Sequence, residues 1–340
     1  MELSGLTAVI AGLAAQHGYD GAGVRLEACT AGGNNRVFRV HAADRQWIAK
    51  WYYSDSSDPR DRLGAEYALL EYARDLRIGC VPRPIGCDRA RHVGLYECIE
   101  GERPRAGEIA AGDIDQAAGF FRALNSGDRR AAAALPVASE ACFSFAAHLE
   151  RVERRIARLA GIAPSSALEQ EAAEFVARMR AGWETLGAEA RAAARAQGLE
   201  LDAPLAAEER CVSPSDFGFH NTLRRASGEL CFIDFEYAGR DDPAKMLCDF
   251  FCQPDVPVPE RHFSRFADAA LASLPGGDAA AARARLLLPA YRMKWACIML
   301  NHFVPDAARR RRFADPESGG EGRKRAQLER ARRSLAHCLG

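Results

Sequence analysis

Two hydrophobic rhythms divide the chain. Over the first hundred residues, short apolar runs rich in β-branched and aromatic residues (VRLEACT, RVFRVHA, QWIAKWYY) are separated by AGGNN and ADR. That pattern predicts strands joined by hairpins. A helix over PRDRLGAEYALLEYARDLR follows, and runs around CVPRPIGC and HVGLYECIEG complete a small antiparallel sheet with this helix lying on it. From about Gly107 the spacing becomes helical: DIDQAAGFFRALN, then FSFAAHLERVERRIARLAG, then a long Ala/Arg/Glu-rich stretch from Ser166 to Gln197. Helices resume from about Pro259. One β-patterned interruption, VSPSDFGFHNTLRRASGELCFIDFEYAG at residues 212–239, breaks the helical half. The chain therefore predicts an α+β, two-lobed architecture with a cleft between the lobes. The β-rich lobe takes residues 1–101. The helical lobe takes residues 102–340 and carries the 212–239 hairpin, and EGERPRAGE marks the crossing.

Composition narrows the function classes. The 340 residues suffice for two lobes with a sizeable core, and 48% apolar with 27% charged residues is ordinary for a globular protein. Lys plus Arg, at 46, equals Asp plus Glu, so net charge makes no case for nucleic acid or an anionic membrane. The basic runs RRRR (309–312) and GRKRAQLERARR read as solvated helix faces. The start, MELSGLTAVIAGLAAQHG, lacks the basic residues of a signal peptide, and no apolar run reaches the ~18 residues of a membrane span. Eleven cysteines are scattered without a CxxC pair, which fits neither a zinc site nor a disulfide framework. Cys248 and Cys252, one helical turn apart, read as reduced core thiols. A cytoplasmic protein is expected.

The chemistry concentrates in two places. Within 212–239, Ser227-Gly228 forms a plausible two-residue turn, which sets Asn221 directly across from Asp234. Opposed side chains on one face lie about 4.5–5.5 Å apart at Cβ, a spacing suited to two oxygen ligands on one hard cation such as Mg2+. Asp216 precedes Asn221 by five residues on a loop containing Gly218, and is expected to face the same spot. In the first lobe, Lys50 sits mid-strand in WIAKWY, where a lone ammonium is costly. Glu66 is flanked by Leu63, Leu69 and Leu70 on its helix, so its carboxylate also needs a partner. Each charge answers the other, and a strand lysine held by a helix glutamate presents an ammonium to nucleotide phosphates. In AGGNN, Gly32, Gly33 and Asn34 form a turn whose backbone N–H groups could approach phosphate oxygens; by itself it also reads as a plain hairpin turn.

Together these residues resemble the aminoglycoside phosphotransferase and choline kinase-like group, small-molecule kinases with a protein kinase-like fold. The resemblance runs through GGNNRVFRV, IAKW, EYALLEYA, CVPRPIG with LYECIEGE, SDFGFHN, IDFEYAG and DDPAKMLCDF, in that order. It implies that Asp216 orients or deprotonates the acceptor hydroxyl, that Asn221 and Asp234 hold Mg2+, and that Lys50, positioned by Glu66, contacts the α/β-phosphates of ATP or GTP. It also implies that residues 95–101, Glu97 and Ile99 among them, line the adenine pocket. Three positions depart from the family pattern. Pro214 stands where a His usually precedes the catalytic Asp by two residues, a brace that the rigid Pro and the hydroxyls of Ser213 and Ser215 could replace; His220 stands where a Gly is common, and Asp249 lies further from Pro243 than usual. These departures mark a divergent subgroup and weaken an inference to antibiotic resistance.

The expected activity is phosphorylation of a hydroxyl on a small metabolite: a sugar, an amino sugar or an amino alcohol. The alternative is a nucleotide-binding pseudokinase without transfer activity, for which Pro214 speaks. The acceptor is expected between the hairpin and the helices after residue 255. There Tyr291, Arg292, Trp295, His302 and Phe303 are placed along one helix, with Tyr291, Trp295 and Met299 as core and Arg292 as a cation for an anionic acceptor. Glu236, Asp241 and Asp242 are the nearest acidic residues that could face a cationic one. No nucleic-acid or membrane partner is expected, and the oligomeric state is not legible.

Overall fold

Period-two alternation builds the first lobe. In a computed structural model, which describes residues 2–29, 33–43, 45–56, 58–162, 164–314 and 320–336 (305–309 by backbone alone), five strands form one antiparallel sheet. They are β1 (Arg25–Cys29), β2 (Arg36–His41), β3 (Gln46–Trp51), β4 (Pro84–Asp88) and β5 (Val93–Glu97), in the order β1-β2-β3-β5-β4. Successive side chains point to opposite faces. Trp47 and Ala49 of β3 and Leu95 of β5 therefore share a face, and α1 (Leu3–Gln16) covers it with Leu6, Ile10 and Leu13. Lys50 points the other way, paired in register with Gly94, toward α2 (Arg62–Asp75). The sequence pattern placed one helix on this sheet; the structure places one on each face.

The second lobe is helical, with α3 (Ala111–Leu124), α4 (Arg129–Ala134), α5 (Phe145–Leu159) and α6 (Ala167–Ala196) preceding the hairpin. Ser144 and Ser166 cap α5 and α6 by accepting from the N–H groups of Ala147 and Glu169. The interruption contains β6 (Cys211–Ser213), β7 (Thr222–Arg224), β8 (Leu230–Phe232) and β9 (Gly239–Asp241), paired β6 with β9 and β7 with β8. Then come α7 (Pro243–Cys252), α8 (Phe263–Leu271), α9 (Gly277–Leu300), α10 (Pro305–Ala314) and α11 (Glu321–Leu335). Helix α9 is the axle of this lobe, packed against α5, α6, α7, α8 and α11, with Tyr291 and Met299 buried along it. It stops at Leu300, so His302 and Phe303 lie in a separate short turn, not on the same helix. Pro305 accounts for this: it forces Val304 into an extended conformation.

The basic C-terminal run is largely consumed internally. On α11, Lys324 pairs with Glu169 at 2.8 Å, Arg332 with Glu171 at 3.3 Å and Arg330 with Asp255 at 2.5 Å, while Leu328 and Leu335 are buried. Cys248 and Cys252 are free thiols, Cys248 buried, donating weakly to the carbonyls of Ala284 and Leu288. Among the described residues, no helix is long and apolar enough to cross a membrane.

Asp242 pins α7 to the rest of the lobe. Its carboxylate caps the helix through Ala244 N–H, takes a fork from Arg283 at 2.7 and 2.9 Å, and meets His148 Nε2 at 3.0 Å. Burial works against the charge, but His148 and Arg283 more than offset it and hold the pKa down at about 2. A carboxyl depressed in the folded state stabilises above its unfolded pKa and loses that contribution as pH falls through the folded value. Asp242→Asn is therefore expected to cost about 2 kcal/mol near neutral pH. Urea unfolding of variant and parent should converge as pH falls from about 4 toward about 2. A gap that stays constant over that range would contradict the linkage.

Candidate active site

The loop that carries Asp216 is held by its aromatic neighbours. In DFGFHN, Phe217, Gly218 and Phe219 are buried, and the flanking Asp216, His220 and Asn221 are half-buried. Phe217 and Phe219 pack on Phe250 with ring centroids 5.1 and 5.5 Å apart, and Phe250 stacks on Phe266 at 4.2 Å. Each such burial is worth about 2 kcal/mol or more. Gly218 between them has extended backbone; it is needed for space, because a Cβ there would lie 2.8 Å from His220 Nδ1.

The hairpin register differs from the expected one. Thr222 pairs with Phe232, Leu223 with Cys231 and Arg224 with Leu230, so Asn221 faces Ile233, whose N–H donates to the Asn221 carbonyl at 3.0 Å. The turn has three residues, Ala226-Ser227-Gly228, closed by Arg225 N–H to Glu229 O at 2.9 Å, with Gly228 left-handed at φ 86°. That third residue shifts the ladder by one. Asp234 falls one step past the expected partner and is brought round by its own left-handed backbone, φ 70°.

Asp234 then reaches the first lobe. Its Oδ1 lies 2.8 Å from Lys50 Nζ, and the same ammonium donates to both Glu66 oxygens at 2.7 and 3.0 Å. Tyr52 OH donates to Glu66 Oε2 at 2.7 Å and lies 2.8 Å from Tyr96 OH. Burial disfavours the Lys50 ammonium, but Asp234 and Glu66 outweigh it and raise the pKa above the ordinary lysine value. Burial likewise opposes the Asp234 carboxylate, and Lys50 and His220 bring its pKa below the usual range.

Asp216 and Asn221 are brought together through the backbone: Asn221 Nδ2 donates to the Asp216 carbonyl at 3.0 Å. That leaves Asn221 Oδ1, like Asp234 Oδ2, without a protein donor among the described residues. A neutral oxygen and an anionic one fit Mg2+, which keeps waters and takes its remaining ligands from substrate phosphates. No cluster of three or more His, Cys, Asp or Glu able to hold a metal occurs among the described residues.

One feature of the loop escaped the sequence reading, and a second was foreseen only in part. His220 Nε2 lies 3.1 Å from Asp216 Oδ1. Burial alone would depress its pKa, yet Asp216, with Asp255 and Asp234 beyond, raises it above the ordinary histidine value. Ser215, left-handed at φ 67°, donates its N–H to Ser213 Oγ at 3.0 Å and receives Lys245 Nζ on its own Oγ at 3.2 Å. Lys245 is in turn held by Asp241 at 2.8 Å. This Ser213–Ser215–Lys245–Asp241 chain braces the loop on the side where Pro214 offers no hydrogen-bonding side chain. The two serine hydroxyls of SPSD were legible as a substitute brace, whereas the Lys245–Asp241 end left only a four-residue spacing in the sequence.

The remaining predicted residues fall elsewhere. Asn34 donates its amide to Glu236 Oε1 at 2.6 Å and Tyr237 OH at 2.8 Å, and Asn35 to Glu236 Oε2 at 2.6 Å, tying the turn to the segment after Asp234. Burial first, and then the charge of Asp234, pushes the Glu236 carboxyl up to about 7. Gly33 lies in that turn, and Gly32 lies outside the described residues. Glu97 and Ile99 sit at and just beyond the end of β5, away from the ion triad; the Glu97 carboxylate meets Arg83 at 3.2 Å. Arg292 does not face an acceptor: it ion-pairs with Glu260 at the surface. Removing one partner of the buried triad is expected to strand the others, so Glu66→Ala should cost about 3 kcal/mol in denaturant unfolding. An unchanged midpoint would mean that Lys50 finds water or another partner.

The fold and the family are shared with known proteins. No curated protein matches the chain by sequence. The fold is shared with choline kinase LicA from Streptococcus pneumoniae, 16% identical, covering 98% of both chains with a TM-score of 0.57. It is shared with macrolide 2'-phosphotransferase MphH from Brachybacterium faecium, 18% identical, over 95% of this chain and 97% of that one, TM-score 0.54. A spectinomycin phosphotransferase solved with ADP and spectinomycin is 11% identical over 92% of each chain, TM-score 0.57. The family model for the phosphotransferase enzyme family matches residues 25–283, three quarters of the chain. With that span enclosing the Lys50–Glu66–Asp234 triad and the Asp216 loop, the chain belongs to the phosphotransferase enzyme family.

Proposed function

We propose that the protein is an ATP-dependent phosphotransferase that phosphorylates a hydroxyl of a small metabolite. The single observation that carries this reading is the buried Lys50 ammonium, held between Glu66 and Asp234 at the junction of the lobes. Such an ammonium can contact the α/β-phosphates of a nucleotide, and phosphoryl transfer depends mainly on positioning and charge neutralisation. Asn221 and Asp234 would hold Mg2+, which supplies neutralisation of the phosphate charge when bound. Asp216 lines a cavity of about 370 Å³ beyond the triad, where it can accept the proton of an acceptor hydroxyl. His220 fixes the direction of its carboxylate. The turn at Gly33 and Asn34, tied to Glu236, would cover the phosphates, and backbone groups near Glu97 and Ile99 would meet the base.

The candidate acidic wall for a cationic acceptor is not free. Glu236 is taken by Asn34 and Asn35, Asp241 by Lys245, and Asp242 by His148 and Arg283. Choline or an aminoglycoside needs acidic or aromatic walls to hold its positive charge. An endogenous acceptor of another kind is therefore the better fit. Pro214 keeps a second reading, a nucleotide-binding regulatory module, in view.

Asp216→Asn is expected to leave Mg·ATP affinity unchanged while reducing turnover by about 10²–10⁴-fold, read from phosphate release and from transfer to a metabolite panel with radiolabelled ATP. Parent-level turnover in the variant would remove Asp216 from the chemistry. Tight Mg·ATP binding by the parent with no turnover on any acceptor or on water would favour the regulatory module.

A further inference from the structure

The cavity beside Asp216 has a charge that the proposed activity does not by itself explain. Among its described lining residues, eight cations stand against three carboxylates. Four of the cations come from α5: Arg151, Arg154, Arg155 and Arg158, at spacings of three, one and three, which put them on one helical face. Arg60 and Arg310 add to them from the opposite wall.

Arg154 meets Glu150 at 3.6 Å, and Asp249 pairs with both Lys245 and Lys294, but the carboxylates in reach do not neutralise the remaining arginines. Glu140 is shared by Arg155 and, at 4.0 Å, Arg60. Burial opposes its charge, but Arg155 and Lys294 hold its carboxyl far below the ordinary range. Asp58 is shared three ways, by Arg62 at 2.6 Å, Arg60 at 3.6 Å and Arg310 at 3.9 Å. Arg151 bonds a carbonyl, that of Ala141, and Arg158 bonds the Asn301 side chain; neither has a carboxylate partner among the described residues. The Nε atoms of Arg151, Arg155 and Arg310 are buried without a partner. Burial, and then the fields of Arg155 and Arg310, lowers the Arg158 pKa, which is the mark of a local positive potential.

The surplus is on the acceptor side. Asp216 lines the cavity, whereas Lys50, Asn221 and Asp234 do not; of the groups proposed for the nucleotide, Asn34 alone is among its described lining residues. Planar guanidinium forks match phosphate oxygens bidentately, and clusters of them are suited to a dianion more than to a single carboxylate. About 370 Å³ is the size of a small ligand.

Resting on the phosphotransferase reading above, we propose that the acceptor is a small hydroxyl compound that already carries a phosphate group, seated on the α5 arginines with its free hydroxyl toward Asp216. In the step this implies, the hydroxyl oxygen forms a bond to the γ-phosphorus as the bond from that phosphorus to the β,γ-bridging oxygen breaks. The proton passes to Asp216, the electron pair leaves with ADP, and the product is a bisphosphate.

The test is calorimetric titration of the full chain without nucleotide, using inorganic phosphate, glucose 6-phosphate, gluconate, glucose and glucosamine as probes. Saturable binding is expected for inorganic phosphate and weaker or no binding for glucosamine. Saturating Mg·ADP should leave phosphate binding in place. Arg154 and Arg158 are exposed, so the double variant Arg154→Gln, Arg158→Gln should fold, and it is expected to weaken phosphate binding at least tenfold. Arg158→Lys, which keeps the charge, should weaken it less, and Arg130→Gln on α4 not at all. The proposal is overturned if no phosphate-bearing probe and no inorganic phosphate binds, if glucosamine binds as tightly as glucose 6-phosphate, or if the double variant binds like the parent. It is also overturned if Mg·ADP displaces phosphate, because the arginines would then serve the nucleotide. Phosphate binding that survives while Mg·ADP fails to bind at all would sink the kinase reading and leave the anion site standing.

Discussion

An ammonium buried in a β-sheet is the constraint around which this molecule is arranged. Lys50 is only 8% exposed, and burying an unpaired charge there would cost several kcal/mol. Strand β3 alone cannot relieve that cost. Relief comes from Glu66 on α2 and Asp234 on the hairpin segment of the other lobe, so a single charge ties sheet, helix and hairpin together. Residue choice follows the same logic. The chain has four lysines against forty-two arginines, and three of the four, Lys50, Lys245 and Lys294, are buried in ion pairs. The compact ammonium is used mostly at interior ion pairs, whereas among the described arginines Arg62 alone is buried as deeply.

The junction of the lobes is divided electrically. On one side a lysine and a carboxylate sit beside the free oxygens of Asn221 and Asp234, a set suited to a metal and a triphosphate. On the other, α5 and α10 present arginines that share too few carboxylates. Asp216 stands between the two, on a loop whose aromatic anchors and Ser213–Ser215–Lys245 brace keep it in place. Part of the local backbone strain falls in the same region. Ser215 and Asp234 are two of the four non-glycine residues with positive φ among those described, which is where stored conformational cost is tolerated because packing fixes it.

Much of this was legible in the sequence. Alternation gave the strands, and the cost of isolated charge linked Lys50 to Glu66 before any contact was seen. The hairpin register was not legible, because Ser-Gly suits a two-residue turn as well as the three-residue turn that Gly228 actually closes. A one-residue error there moved the partner of Asn221 from Ile233 to Asp234. Helix α1 comes from the apolar opening stretch, but nothing in its own sequence says which sheet face it covers. The arginine face of α5 was written plainly in RVERRIAR, at i, i+3, i+4 and i+7. It was not singled out, since its meaning depends on Asp216 approaching from sixty residues downstream. Arg292 was given the role these arginines hold, because α9 was the nearer helix in sequence to the expected acceptor site.

The central claim is that Lys50 is a permanently charged, phosphate-facing group at the lobe junction. With only four lysines, the Nζ resonances of protein labelled with ¹⁵N-lysine can be resolved, and Lys50→Arg assigns the one that matters. The account predicts an ammonium signal for Lys50 from about pH 6 to about pH 9, displaced on adding Mg2+ with a non-hydrolysable ATP analogue, while Lys324 on the far surface stays still. A Lys50 signal that loses its proton within that range, or that does not move when nucleotide is bound, would contradict it.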